Sequence, residues 1–305
     1  MATYNFKKEA ELYIVHGSPA VTTRLDVTED ISFSQTFTDK TYSKKTLHAQ
    51  HKLHASSNIK KANPASFDFT IPALTQDSLD TIFNLLVDFK TGTYTLDTFD
   101  LYIKLPNDVY KLEKCVITNG TFIIEKLQNL KLGIQGQASK LTNDSTITIP
   151  GLAGATRGTR TEQKVDYLYV KVDSTDLIQG LYKVGIELQN DIKWTPYQTV
   201  NDALLVTNAA TSMYPSNFTL EKRILSGSIG QYVTSDFNND VQTWKTDVPL
   251  IIKAGESATQ GFRFDATNCS FTNRSGVEDV FTQTYDWKMN DNTTDLGSKL
   301  TYIHT

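Results

Sequence analysis

Apolar and polar residues alternate along much of this chain, and the alternation predicts strands. In Ile31-Ser32-Phe33-Ser34-Gln35-Thr36-Phe37-Thr38, residues Ile31, Phe33 and Phe37 share one face. Ser32, Ser34, Thr36 and Thr38 share the other. Phe67 to Ile71 alternates in the same way, and strands are expected again over 99–104, 115–125 and 130–138. One segment has helical period instead: Leu79, Ile82, Phe83, Leu86 and Phe89 place an apolar stripe along Thr75 to Lys90. Thr75 or Asp77 can cap its start and Gly92 stops it. Residues 40–65 are rich in Lys, His, Ser and Asn with little apolar period, so they are expected to form a long hairpin arm or loop, a kind of segment that usually has a function.

The second half of the sequence follows the order of the first. Cys115-Val116-Ile117-Thr118-Asn119 has a counterpart in Cys269-Ser270-Phe271-Thr272-Asn273, and Asp100 to Lys104 resembles Pro249 to Lys253. Asp30 to Ser34 resembles Asp191 to Thr195, Phe67 to Ile71 matches Leu225 to Ile229, and Leu130 to Ala138 matches Phe281 to Met289. The helix has only a shorter, more polar counterpart, Asp236 to Lys245. This ordered similarity predicts two modules, 1–144 and 165–305, joined by a Gly- and Thr-rich linker over 145–164. A single large β-sandwich is the alternative. The expected class is mostly β, with one or two short flanking helices on two similar β-barrel or β-sandwich modules.

Composition narrows the function. A formal charge of -4 argues against a dedicated nucleic-acid binder, which usually carries a basic face. Met1 to Lys8 lacks the apolar core of a signal peptide, so cytoplasmic synthesis is expected. No apolar run reaches the length of a membrane span, and no membrane partner is expected. The two cysteines, Cys115 and Cys269, fall on equivalent strands of different modules and are expected to be free, buried thiols.

Candidate chemistry is sparse. His48, His51 and His54 recur at three-residue spacing, but they lie in a lysine-rich loop with no carboxylate close in sequence, so a solvated loop outweighs a metal site. Gly151 to Gly158 lacks the Gly-Lys-Ser/Thr ending of a phosphate loop. No nucleophile elbow or zinc-protease pair occurs. The expectation is a protein without catalytic residues, cofactor or metal. Trp194, Tyr197, Trp244 and Trp287 fit a sugar-stacking sandwich or adhesin, although aromatics in strands are more often core.

The run Phe33 to Thr38, Lys44-Lys45-Thr46-Leu47-His48 and Phe67 to Pro72 resembles the tail tube proteins of tailed bacteriophages, and Thr98 to Lys104 and Met213 to Lys222 are similar to stretches of phage virion proteins of this length. The resemblance implies β-barrel modules that close six to a ring, with rings stacked into the tube through which the genome passes. A two-module chain then implies a homotrimeric, pseudo-hexameric ring. It also implies a virion protein of the tail whose partners are itself, other tail proteins and, transiently, viral DNA. A distal tail or tail-completion ring protein is the alternative within the same class. Residues 40–65 correspond to the family's inter-ring arm, which would use Lys44, Lys45, His48, His51, His54, Lys60 and Lys61. A lumen that neutralised phosphates would retain DNA, so its lining should be small, polar and neutral or acidic. Ser32, Ser34, Thr36 and Thr38 form one candidate lumen stripe, and Thr282, Thr284 and Asp286 another, with Lys193 and Lys288 fitting imperfectly.

Overall fold

A computed structural model describes residues 7–27, 31–44, 54–72, 81–90, 92–157, 164–173, 176–195, 213–233, 244–277, 280–290 and 300–303. The strands of the first half are β1 (Glu11–His16), β2 (Val21–Leu25), β3 (Ser32–Ser34), β4 (Phe37–Lys44), β5 (His54–Ala62) and β6 (Ala65–Pro72). Helix α1 (Thr81–Val87) follows, then β7 (Phe99–Lys104), β8 (Val109–Glu125), β9 (Lys131–Ala138), β10 (Lys140–Asn143) and β11 (Thr156–Arg157). The rest are β12 (Tyr167–Val172), β13 (Asp176–Ile178), β14 (Leu181–Thr195), β15 (Asn217–Tyr232), β16 (Trp244–Ser257), β17 (Gln260–Val277), β18 (Phe281–Met289) and β19 (Leu300–Ile303). The fold is mostly β. Except for the β4–β5 hairpin, all strands join one extended, almost wholly antiparallel sheet.

The ladders of the two halves run in the same order. In the first, β2 pairs β1, β1 pairs β7, β7 pairs β8, β8 pairs β9, β9 pairs β6 and β6 pairs β3. In the second, β13 pairs β12, then β16, β17, β18, β15 and β14 follow. β10 flanks β8 as β19 flanks β17. Phe99 pairs Cys115 and Val248 pairs Cys269, with a register irregularity just after each pair, before Leu101 and Leu250. The register differs from the sequence similarity in two places: Phe67 to Ile71 hold the ladder position of Gly227 to Gln231, two residues beyond Leu225 to Ile229, and the match of Asp30 to Ser34 also moves. Phe33 stands opposite Phe67, and tracing the same ladder position leads to Ile186 opposite Gly227, so Lys183 to Glu187 hold the place assigned above to Asp191 to Thr195. A bulge at Asp191/Ile192 shifts that later stretch.

The halves share a core. β8 outlasts its pairing with β7 and continues against β14, from Asn119 opposite Gln189 to Glu125 opposite Lys183. Phe83 of α1 meets Phe122 of β8 edge-on at 6.4 Å, and Phe122 stacks on Phe262 of β17 at 4.8 Å. Aromatic packing of this kind contributes beyond simple area burial. α1 lies on the sheet at Gly120, where a Cβ would collide with the Leu86 side chain. Arg223 of β15 donates to the Leu86 carbonyl at 2.6 Å and to Asn190 at 2.8 Å, and its guanidinium sits 4.7 Å from the Phe89 ring. A cation from the second half thus satisfies a carbonyl at the C-terminal end of the first half's helix.

Three expectations need correction. The described helix ends at Val87, because Phe89 bridges Leu96 and the chain turns back with Lys90 N–H on Thr95 O. Residues 75–80 lie outside the described residues. Phe37 leaves the alternating stripe: β3 ends at Ser34, β4 belongs to the separate hairpin, and Phe37 is 51% exposed. Residues 146–157 are not a free linker over that stretch. Ile149 is buried with Tyr13, Tyr102 and Val109, the Thr22 hydroxyl donates to Pro150 O, and β11 pairs β2. The apolar alternation Ile147, Ile149 docks this stretch, a signal that its Gly- and Thr-rich composition hides.

Both cysteines are free and fully buried, and burial pushes the Cys115 thiol well above its usual range. On the outer edge of the first half, the Tyr13 hydroxyl donates to Glu11 at 2.8 Å and holds that carboxyl below its ordinary value. Lys104 at 3.3 Å and Arg24 at 3.2 Å add to the effect, which burial opposes.

Candidate functional site

Eight strands, four from each half, form a single two-faced surface in the order β3, β6, β9, β8, β14, β15, β18, β17. One face is core: Phe69, Ile134, Phe122, Ile186, Leu188, Ile229, Tyr285 and Phe271 are all buried. The period-two alternation of strands therefore forces the other face outward.

That outer face is small and polar. One rung runs Thr70, Gly133, Thr121, Glu187, Ser226, Lys288 and Ser270, each residue directly opposite the next across seven strands. The neighbouring rung runs Lys131, Ile123, Gly185, Ser228, Asp286 and Thr272. A third holds Glu125, Lys183, Gly230, Thr284 and Arg274. Toward the first half's edge come Ser32, Asp68, Gln135, Asn119 and Gln189 in line. Ile123, 51% exposed, is the one large apolar side chain on these rungs that is so open.

The charges on this face compensate locally. Lys183 lies 3.5 Å from Glu125 across the β8–β14 junction, and Arg274 lies 2.6 Å from Asp286. Asn119 donates to Glu187 at 3.0 Å, and Gln135 donates to Asp68 at 2.8 Å. Pairs this exposed add little stability. Their consequence is electrostatic: Lys183 and Arg274 already face carboxylates and so offer less to phosphates.

The sequence-predicted residues divide as follows. Ser32 and Ser34 lie on this face at the β3 edge, with the Ser34 hydroxyl 3.1 Å from that of Ser66. Thr282, Thr284 and Asp286 lie on it in β18. Thr36 and Thr38 are exposed but sit beyond β3 at the root of the hairpin, where both hydroxyls accept from the Asn63 amide, at 2.9 and 3.2 Å. Lys193 lies past the β14 bulge, 4.0 Å from Glu221. Lys288 stands in the middle of the first rung. Sequence reasoning missed Thr70, Thr121, Gln135, Glu187, Gln189, Ser226 and Ser228, although each alternates with a buried neighbour and is findable by that signal.

The predicted arm is a β-hairpin in which Lys44 pairs His54, Asp39 pairs Lys60 and Thr38 pairs Lys61 along the backbone. Lys45, His48 and His51 lie outside the described residues. The hairpin's root is braced by the second half. Ala62 N–H donates to Met213 O at 3.0 Å, and Phe37 meets Tyr214 edge-on at 6.4 Å. Tyr214 also receives Lys140 over its ring at 5.2 Å.

Among the described residues no group of three metal-ligating side chains converges. Trp287 is core, 2% exposed and stacked on Phe264 at 5.1 Å, and Trp194 donates to Gln137 at 2.8 Å and packs on Phe218. Tyr197 and the Trp244 side chain lie outside what is described. No described helix is long and apolar enough to cross a membrane.

A family model described as the bacteriophage baseplate tube protein family matches residues 2–301. A search of curated proteins finds no match.

Proposed function

The chain belongs to the bacteriophage baseplate tube protein family, and from that premise we propose that its eight-stranded polar face is one third of the wall of a DNA channel. It is a structural protein of the phage tail and baseplate, a class that is not typically enzymatic. In the proposed assembly the two halves are copies of one tube module. Three chains close a pseudo-hexameric ring, Ser32, Ser34, Thr282, Thr284 and Asp286 face the lumen, and the β4–β5 hairpin reaches toward a neighbouring ring. The observation that carries this reading is the β8–β14 ladder, which joins four strands of each half into one continuous surface. A sheet of this kind needs its edges covered, and closure into a ring covers them. Heterologous contacts close when the rotation divides a circle.

The family description favours a segment at the baseplate end of the tube, with the chain meeting other tail proteins above and below, over a repeating major tube subunit. Negative-stain microscopy over a concentration series separates the two. Single rings or short stacks with a central channel are expected for a baseplate segment, and long tubes would make the chain a major tube protein. Monomers at every concentration would refute ring formation. The lumen assignment has its own check. In assembled rings, Glu187→Lys with Asp286→Lys should convert weak DNA association into salt-dependent retention, with log K falling about 0.9 more steeply per log unit of salt for each additional phosphate neutralised. An unchanged salt slope would place this face elsewhere than the channel.

A further inference from the structure

Among the described residues, each end of the eight-stranded face offers an open backbone edge. β3 pairs only β6 among the described strands. β17 pairs β16 as far as Thr272, beyond which Asn273–Val277 pairs only β18 among the described strands. The same geometry occurs once inside the chain, and there the edge is filled: β8, in β17's ladder position, leaves β7 at Cys115 and is taken up by β14, which holds β3's position.

The internal junction fixes a register. Thr121 pairs Gly133 as Arg274 pairs Thr284, so Thr121 and Arg274 occupy matching positions. Glu187 follows Ile186 as Ser34 follows Phe33, so those two match as well. Glu187 stands opposite Thr121 and Gly185 opposite Ile123. Resting on the ring reading above, we propose that a second copy of this chain adds its β3 antiparallel to β17, with Ser34 of one copy opposite Arg274 of the next and Ser32 opposite Gly276. The junction between chains then repeats the junction within one.

A second observation points to the same occupant. Leu130 precedes Lys131 in β9 and is fully buried, because the start of the second half runs beside it: Asn129 bridges Lys164, and Leu127 and Gln128 exchange backbone hydrogen bonds with Val165. Phe281 holds the matching place in β18, before Thr282, and is 63% exposed beside Val280 at 52%. In the first half this position is covered by the next module. In the second half no described residue covers it, and in the proposed ring the next module is in another chain.

Paired cysteines test the register in the full-length chain. Directly opposed strand residues fall within disulfide reach, whereas positions one strand further apart do not. Ser34→Cys with Arg274→Cys should yield covalent dimers and trimers on mild oxidation, and Ser66→Cys with Arg274→Cys should stay monomeric on a non-reducing gel. Thr121→Cys with Glu187→Cys, at the internal junction, should close within one chain. In the unmodified chain, assembly should slow amide exchange at 32–35 and 273–276 together. Rings that form without that protection, or that crosslink equally through Ser66→Cys, overturn the register and leave the ring standing. Absence of any assembly of the unmodified chain overturns both.

Discussion

Gly136 lies opposite Phe67 in the first half of the molecule, and Gly227 lies opposite Trp287 in the second. The four residues hold one ladder position, yet the aromatic has changed strands: it sits on β6 in the first half and on β18 in the second. In both, the ring covers the glycine so closely that a Cβ would collide with it, and at Gly227 a Cβ would also collide with the Gly185 carbonyl. Two rungs further, Ile71 opposes Leu132, both fully buried, where the second half sets Gln231 against Gln283 with the Tyr285 hydroxyl donating to Gln231 at 2.9 Å. Ile134, fully buried, takes the place that Tyr285 takes. The ladder thus constrains pairs of residues and not single positions. A glycine is tolerated if its partner is an aromatic that fills the gap, and a buried amide is tolerated if its neighbours satisfy it.

The equivalence of the halves is tested most severely where the aromatic is removed. Phe67→Ala and Trp287→Ala should each cost about 3–5 kcal/mol, because each leaves a cavity bordered by a glycine that cannot fill it. Chemical denaturation should show similar losses from the two although the residues sit on different strands. A loss in one half and none in the other would show that the positions are not equivalent. Next comes the tie between the halves. Arg223→Leu removes the donor to Leu86 O and Asn190 and should cost about 2–3 kcal/mol, since a charge-assisted hydrogen bond is lost and a helix-end carbonyl is left bare. Proteolysis or amide exchange should show α1 loosening first.

The buried amides allow an exchange between halves. Gln283→Leu alone should cost about 1–3 kcal/mol by orphaning polar neighbours. Adding Gln231→Ile and Tyr285→Ile imports the first half's residues and should recover most of that loss. A triple variant worse than the single one would mean that the Gln pair has a partner which the first half lacks. The smallest effect separates the outer edges. The depressed Glu11 carboxyl contributes stability that is complete above its unfolded value and disappears as pH falls through its folded one. Because its partners are more than a third exposed, the contribution is below about 1 kcal/mol. Glu11→Gln should lower the thermal midpoint slightly at neutral pH, flatten the shallow acid-side slope, and leave the midpoint unchanged at low pH, where the native carboxyl is protonated.

Much of the ladder is legible in the chain, for reasons that particular residues make clear. Phe99 to Lys104 is a strand with the bounds that its alternation predicts. The Cys115 and Cys269 pentapeptides mark the same register irregularity in both halves. What alternation does not encode is which strand lies next to which. The continuation of β8 onto β14 depends on two segments about sixty residues apart in sequence whose own patterns say only that one face is buried. Thr121 and Glu187 therefore read as ordinary polar positions, and lumen stripes inferred from alternation stay on single strands. The stripe over Ser32 to Thr38 is too long because a strand and the root of a hairpin share one alternating run.

A cryo-electron microscopy reconstruction of the assembled particle tests the central claim most directly. The expected result is a near-sixfold channel made of three chains, walled by the face that carries Thr121, Glu187, Ser226 and Asp286, with β8–β14 and β17–β3 junctions alternating around it. A ring of six chains, or a channel walled by any other surface, would contradict it.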